Sequence, residues 1–326
     1  MAYKINSNTV IDGSNTSITG YFLSGVGLTV KNDSGEIHVQ DTSPMVGTVA
    51  GYSSGGTAGP TFSNVIDKFP FATDTNATDV GDITQGRYST AGQSSIISGY
   101  SSGGRNPTNT NTIDKFPFTT NTNASDVGDL TQARGLAAGQ SSLVSGYASG
   151  GFSPTVNTID KFSFAVDSNA TDVGDLTQSR LAAAGQSSST NGYSSGGSGL
   201  NTIDKFPFST NSNATDVGDL TQARGYASGQ SSTTHGYTTG GYTPARNTID
   251  KFPFASDTNA TDVGDITAGR YGMAGQSSLV SGYSSGGTPP SAGINTIDKF
   301  PFASDTNATD IGDLSQSRAY PAGQQD

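Results

Sequence analysis

One stretch decides the fold: Asn201-Thr202-Ile203-Asp204-Lys205-Phe206-Pro207-Phe208. Its Asp-Lys-Phe core recurs in six copies, 44 to 48 residues apart, which begin at Asp67, Asp114, Asp160, Asp204, Asp250 and Asp298. A near-constant period of this size is typical of repeat architectures, in which each unit buries its apolar surface only by stacking on its neighbours. The chain is therefore expected to form one repeat body and not two unrelated domains.

The period divides into pieces of strand length. In the unit that starts at Arg134, these pieces are residues 134–142, 144–151, 157–164 and 170–177, and each is bounded by Gly, Asn, Asp or Ser. Four short antiparallel strands in every repeat are the content of a β-propeller blade. We therefore expect an all-β fold of four-stranded blades.

The repeated aromatic residues predict the core. Period-two geometry places Phe206 and Phe208 on one face of their strand and Ile203 and Lys205 on the other. Twelve of the fifteen Phe lie in such Phe-x-Phe pairs, and six of the thirteen Tyr follow the Gly of the second strand, as Tyr193 does. Because blades bury both faces against their neighbours, these rings predict a packing seam between blades and not a row for stacking sugars or bases.

The two ends of the repeat region are complementary fragments. Six copies of each piece predict six blades, but the first copy begins at its second strand, residues 49–56, and the last ends with a lone first strand, residues 319–325. Pairing these ends completes one blade and removes the exposed edge that a linear array would leave. We predict a closed ring over residues 44–326, preceded by a β-rich segment of residues 1–43.

The spacing of arginine and glycine is also constant. Wherever a Gly-Gly pair follows a repeat Arg, its first Gly comes 16 residues after that Arg, as Gly196 follows Arg180. This pattern, with Asn-Thr-Ile-Asp-Lys-Phe and then Thr-Asn-Ala-Thr after it, resembles the kelch repeat over about 280 residues. Kelch units usually carry a Trp after the Thr-Asn phrase, where this chain has Thr78, Thr215 or Thr261. The resemblance implies a degenerate, kelch-like six-bladed propeller.

The N-terminal segment has its own strand pattern. Residues 3–12 alternate loosely before Gly13 and predict a short strand and a turn, whereas residues 28–31 and 36–39 flank Asn32-Asp33-Ser34-Gly35 and predict a hairpin. So small a segment is expected to dock on the repeat body or on another subunit, or else to be a strand pair packed on its own domain. The phrase in residues 5–12, Ile-Asn-Ser-Asn-Thr-Val-Ile-Asp, is similar to the opening of tailed-phage virion proteins, although Ser7 stands where Gly is usual. The resemblance implies attachment to other virion proteins.

The composition of the chain excludes several classes of partner and site. The net charge of −11 opposes binding to a phosphate backbone, so no nucleic-acid partner is expected. The absence of Cys excludes disulfides and thiolate chemistry, and two His are too few for an imidazole metal cluster. No apolar run approaches the ~18 residues of a membrane helix, and no signal-type core follows Met1. We expect no membrane insertion and, from the resemblance, a virion location after synthesis in the host cytoplasm.

Two recurrent polar patterns invite chemical interpretations. Asp257-Thr258-Asn259-Ala260-Thr261-Asp262 would suit calcium, but the spacing is not that of an EF-hand, two copies begin with Asn121 or Asn211, and turn chemistry explains the same residues. The repeat Arg and the Asp of Asp-Lys-Phe recur in every unit, which predicts structural Arg–Asp or Lys–Asp bridges between blades. Since no copy differs, we expect no catalytic residue, no cofactor and no enzyme activity, with calcium as the weaker alternative.

The repeats diverge between Gly-Gly and Asn-Thr-Ile-Asp. The loops there differ in length and sequence and cover residues 57–63, 105–110, 152–156, 198–200, 242–246 and 288–294. In an up-and-down blade they share one face of the ring with the repeat Arg, and the other face is expected to be uniform scaffold. Arg105, Phe152, Tyr242 and Arg246 are the candidate contact residues, and drift of unconstrained loops is the alternative.

These patterns together predict a non-enzymatic structural or recognition protein of a tailed-phage virion. It would be a tail, fibre or capsid-decoration protein in an oligomeric assembly, with its variable loops turned to a host-surface glycan or receptor or to a neighbouring subunit. The alternative is a bacterial carbohydrate-binding or adhesion propeller.

Overall fold

The computed structural model describes residues 46–152, 154–242, 244–289 and 293–326, and the backbone of four strands before them. The chain divides into two compact units, Met1–Ser43 and Pro44–Asp326. The strands of the first unit form two antiparallel pairs: Tyr3–Ile5 with Asn8–Ile11, and Leu28–Asp33 with Glu36–Asp41.

The second of these pairs confirms the predicted hairpin. The single strand predicted over residues 3–12 is wrong, because two paired strands occupy that stretch. They are separated by Asn6-Ser7, residue types that favour turns. Of the turn predicted over Asn32-Asp33-Ser34-Gly35, the first two residues instead belong to the strand Leu28–Asp33, and Ser34 and Gly35, like the turn predicted at Gly13, lie outside the described residues.

In the second unit, the described residues form a six-bladed β-propeller of four-stranded antiparallel blades, as predicted. In each blade the strands run from an inner strand at the axis through a second and a third to an outer strand. The inner strands of blades 1 to 6 are Ala322–Gln325, Ala91–Ser94, Ala138–Ser141, Ala184–Ser187, Ser228–Ser231 and Ala274–Ser277. The second strands are Ala50–Ser54, Ser98–Ser102, Ser145–Ser149, Asn191–Ser195, His235–Thr239 and Ser281–Ser285. The third strands are Val65–Pro70, Thr112–Pro117, Thr158–Ser163, Thr202–Pro207, Thr248–Pro253 and Thr296–Pro301. The outer strands are Thr78–Asp82, Ser125–Asp129, Thr171–Asp175, Thr215–Asp219, Thr261–Asp265 and Thr309–Asp313.

Two short strand pairs lie in the loops that follow the second strands of blades 1 and 2. They are Thr57–Ala58 with Thr61–Phe62, and Arg105–Asn106 with Thr108–Asn109.

The C-terminal strand closes the ring. Ala322–Gln325 pairs antiparallel with Ala50–Ser54, with Ala322 opposite Ser54 and Gln325 opposite Gly51. Blade 1 is thus built from both ends of the repeat region, as predicted. The pairing removes a free sheet edge.

Aromatic rings fill the seams between blades. The Tyr147 ring of blade 3 lies 5.6 Å from Phe206 and 4.8 Å from Phe208 of blade 4, measured between ring centroids. Ile159 and Leu176 complete the same buried cluster. Equivalent clusters recur around the ring, so the predicted seam is confirmed.

Glycine allows the inner strands to touch at the axis. A Cβ on Gly139 would lie 2.1 Å from the carbonyl oxygen of Gly92 in the preceding blade. The same approach, at 2.1 to 2.2 Å, holds around the glycine ring of Gly92, Gly139, Gly185, Gly229, Gly275 and Gly323. Any side chain there would push the backbones apart, so the glycine at the centre of each Ala-Gly-Gln or Ser-Gly-Gln is a requirement of packing.

The segment between the outer strand of one blade and the inner strand of the next, which we call the link, carries the repeat Arg, now called the link Arg, in a buried ion pair. The link Arg is paired with the Asp of the next third strand at 2.6 to 3.1 Å, and both side chains are at most 1% exposed. The pairs are Arg318–Asp67, Arg87–Asp114, Arg134–Asp160, Arg180–Asp204, Arg224–Asp250 and Arg270–Asp298. The predicted Arg–Asp bridges are confirmed, and each link is held in one geometry.

Candidate functional site

The links and the loops between second and third strands share one side of the ring, which we call the upper face. Two residues after each link Arg, the backbone joins a closed cycle of hydrogen bonds in which each N–H donates to the carbonyl of the preceding blade at 2.7 to 2.9 Å. Its members, the upper ring, are Ser89, Leu136, Ala182, Tyr226, Gly272 and Tyr320.

The upper ring imposes an unusual backbone conformation. Its non-glycine members have φ between 57° and 59°, the left-handed region. Each costs about 1 kcal/mol or more for a residue with a Cβ, and the cyclic hydrogen bonds offset that cost. The ring thereby holds the side chains of Tyr226 and Tyr320 at the axis.

Each variable loop begins beside this ring. The residue after Gly-Gly bridges to the residue after the link Arg of the same blade: Arg105 to Tyr88, Phe152 to Gly135, and Tyr242 to Gly225. Three of the four predicted contact residues therefore lie around the axis on the predicted face.

A continuous group of aromatic rings results, which we call the aromatic surface. Tyr320 lies 5.9 Å from Tyr226 and 6.2 Å from both Tyr271 and Tyr88. The group extends outward from Tyr271 to Tyr242 at 4.7 Å. On the other side, Phe62 stacks on Tyr88 at 5.2 Å.

Arg105 brings a positive charge to the aromatic surface. Its guanidinium lies 5.9 Å from the Tyr88 ring and 5.7 Å from the Phe152 ring, and so joins the two in cation–π contact. The charge of Arg105 also opposes the rise that burial causes in the pKa of Tyr226. Burial, followed by the nearby Tyr271 and Tyr226, raises the pKa of Tyr320 far above its ordinary value. Its phenol stays neutral and remains a hydrogen-bond donor.

Arg246 has a different place from the other three predicted contact residues. Its N–H donates to the carbonyl of Gly241 at 2.9 Å, and its carbonyl accepts from the N–H of Arg270 at 3.0 Å. Its charge contributes to the lowered pKa of Arg224, behind the larger effect of burial. The backbone of Arg246 therefore lies beside Gly241 and Arg270, and its charge is close enough to act on Arg224.

Sequence reasoning missed most of the aromatic surface. Phe62 and four tyrosines, Tyr88, Tyr226, Tyr271 and Tyr320, were outside the predicted contact set. A signal existed, because the two residues after the link Arg differ in every copy: Tyr-Ser, Gly-Leu, Leu-Ala, Gly-Tyr, Tyr-Gly and Ala-Tyr.

A cavity of about 130 Å³ lies between the upper ring and the glycine ring. Small side chains such as Thr90, Ala138 and Ala184 line it. Its volume is on the scale of a few water molecules, so a larger ligand would bind on the aromatic surface above it.

The residues that suggested calcium make contacts between blades. Asp257 Oδ1 lies 2.6 Å from Lys205 Nζ of the preceding blade. In the copy with Asn211, the preceding Lys161 lies instead over the Tyr147 ring, 5.8 Å from its centroid. Among the described residues, no group of three or more His, Asp or Glu side chains is arranged to hold a metal ion.

Neither a scan of protein-family models nor a search of curated proteins finds a match for the chain. Within the described residues, no helix is long and apolar enough to cross a membrane.

Proposed function

We propose that the protein is a non-enzymatic recognition component of a tailed-phage virion whose propeller binds a host-surface glycan through the aromatic surface. One observation carries the proposal: six aromatic rings and Arg105 form a continuous group on the face where the repeats diverge. The virion context is supported by the phrase in residues 5–12.

The chemistry of the surface favours a sugar. Aromatic faces pack against the C–H faces of pyranose rings, while phenol and guanidinium groups hydrogen-bond to hydroxyls. Tyr320, Tyr226 and Tyr271 are half-buried, and Tyr320 and Tyr226 belong to the upper ring, so little side-chain freedom is lost on binding. The identical Arg–Asp pairs of all blades act in stability, which supports a binding protein rather than an enzyme.

A glycan array probed with the full-length chain tests the binding, followed by calorimetry on the best glycan. Tyr320→Ala and Tyr226→Ala are suitable variants, because Ala182 already occupies the equivalent position at φ 58°. Each should weaken binding by about tenfold or more, the loss expected for one well-packed ring. Leu136→Ala, in a part of the upper ring without aromatic contacts in this group, is the matched control.

Two results would contradict glycan binding: no glycan retained by the wild-type chain, or equal affinities for the tyrosine variants and the wild type. The virion location has its own test. Deleting residues 1–43 in the phage genome should abolish incorporation of the propeller into purified particles, detected by an antibody against the propeller. Unchanged incorporation would refute the attachment role of that segment.

A further inference from the structure

The face opposite the upper face, the lower face, carries the hairpins between inner and second strands. Their central residues form the tips, which are exposed except for the half-buried Leu143. The tips are Ile96-Ile97 in blade 2, Leu143-Val144 in blade 3, Ser189-Thr190 in blade 4, Thr233-Thr234 in blade 5 and Leu279-Val280 in blade 6. In blade 1, Val49 takes the corresponding place before the second strand. The prediction that this face is uniform scaffold is wrong, because the tips differ in polarity.

The apolar tips are grouped on one side of the axis. Blades 6, 1, 2 and 3 are consecutive in the ring, and blades 4 and 5 carry the polar tips. The exposed large hydrophobic residues of this side, which we call the apolar arc, are Val49, Ile96, Ile97, Val144, Leu279 and Val280, together with Val166 in the loop between the third and outer strands of blade 3. They are 41% to 71% exposed.

We propose that the apolar arc is a homodimer interface that binds the same arc of a second copy of this chain. The seven residues of the arc together expose roughly 700 Å². That area is close to the ~800 Å² that each partner contributes to a standard interface. A two-fold axis through the arc lets each apolar tip bury apolar tips of the other copy.

Most of the charge near the arc is paired within one copy, with the exception of Asp326, whose backbone oxygen accepts from the N–H of Val49 at 2.7 Å and which places a carboxylate beside the arc. In the blades that carry the apolar arc, the carboxylates of the loops between third and outer strands are paired with lysines. The pairs are Lys115–Asp167 at 2.9 Å, Lys251–Asp305 at 2.8 Å and Lys299–Asp74 at 2.9 Å. In blade 2 the corresponding residue is the uncharged Asn121. Two chains of net charge −11 can therefore approach through these faces, and added salt should strengthen the dimer by screening the remaining repulsion.

The chain supplies its own matched substitution. In blade 2, Ser95 Oγ accepts hydrogen bonds from the N–H groups of Ile97 and Ser98 at 3.3 and 3.0 Å. In blade 4, Ser188 Oγ accepts the same two bonds at 3.3 and 3.0 Å around a Ser-Thr tip. Ile96→Ser with Ile97→Thr therefore exchanges an apolar tip for a polar one within an unchanged hairpin.

Sedimentation velocity of the full-length chain over a range of concentrations tests the interface. We expect a wild-type dimer whose dissociation constant falls as salt is raised, and a rise of at least about tenfold in the Ile96→Ser/Ile97→Thr variant. Phe152→Ser on the upper face is the control and should dimerise like the wild type, and thermal unfolding checks that both variants fold. A monomeric wild type at all concentrations, or an unchanged dissociation constant in the tip variant, would overturn the proposal.

Discussion

A double-mutant cycle on one buried ion pair tests whether the Arg–Asp pairs hold the links between blades. Arg87 Nη2 lies 3.1 Å from Asp114 Oδ2, and both side chains are fully buried. Asp114 also accepts hydrogen bonds from the N–H and the Oγ1 of Thr84 at 2.9 and 2.7 Å. Burial lowers the pKa of Arg87, against the opposing effect of Asp114. Either charge therefore depends on the other to stay buried.

The magnitude follows from the cost of an unpaired buried charge. Arg87→Met or Asp114→Asn alone should lower the free energy of unfolding by about 3–5 kcal/mol, since each leaves one charge without its partner. That corresponds to a fall of about 5–8 °C in Tm for a propeller of this length. The double variant removes both charges and keeps an amide oxygen for Thr84. Its cost should fall short of the sum of the single costs by at least about 2 kcal/mol.

Urea unfolding followed by circular dichroism measures all four proteins of the cycle, with equal m-values as the check that they unfold alike. Additive single costs, or a cost below about 1 kcal/mol for either single variant, would refute the role of the pair in holding the link. The upper ring would then depend on backbone hydrogen bonds alone.

Two further predictions concern the seams and the axis. Burial raises the pKa of Tyr193 and of Tyr237 to about 12, so the folded state keeps these phenols neutral while the unfolded state ionises near pH 10. The contribution of the neutral phenols to the free energy of unfolding is fully present below pH 10. It should be lost as the pH rises from 10 to 12, by about 2–3 kcal/mol for each of the two tyrosines. Urea unfolding measures this loss, and a free energy of unfolding that is independent of pH over this range would contradict the prediction. At the axis, Gly323→Ala should cost about 1–3 kcal/mol or more, because its Cβ would lie 2.1 Å from a backbone oxygen. Gly293→Ala should be close to neutral, since among the described residues the nearest atoms to its added Cβ lie at 3.7 Å. Thermal unfolding compares the two alanine variants, and equal Tm values would exclude the close packing at the axis.

The candidate site was predictable only in part. Arg105, Phe152 and Tyr242 could be selected because they lie in loops that differ among otherwise similar repeats. Tyr320 and Tyr88 also stand at positions that differ among the repeats, but the sequence does not show where those positions lie in the ring. Only the closed cycle of hydrogen bonds shows that the residues after that Arg surround the axis. The apolar arc was missed for a similar reason, because most of its residues occupy hairpin tips in which only two residue positions differ between repeats.

The sequence by itself determined the blade, the aromatic seam and the closure of the ring. These features depend on contacts that every repeat makes with the next one. The same residues therefore recur in the sequence wherever the same contact recurs in the structure. Only the tertiary structure decided which non-repeated residues become neighbours. Tyr88 and Tyr320 are far apart in the chain, and Leu279 and Ile96 are too, yet ring closure places each pair on one face. A ring brings distant repeats together through geometry, which leaves no periodic signal in the sequence.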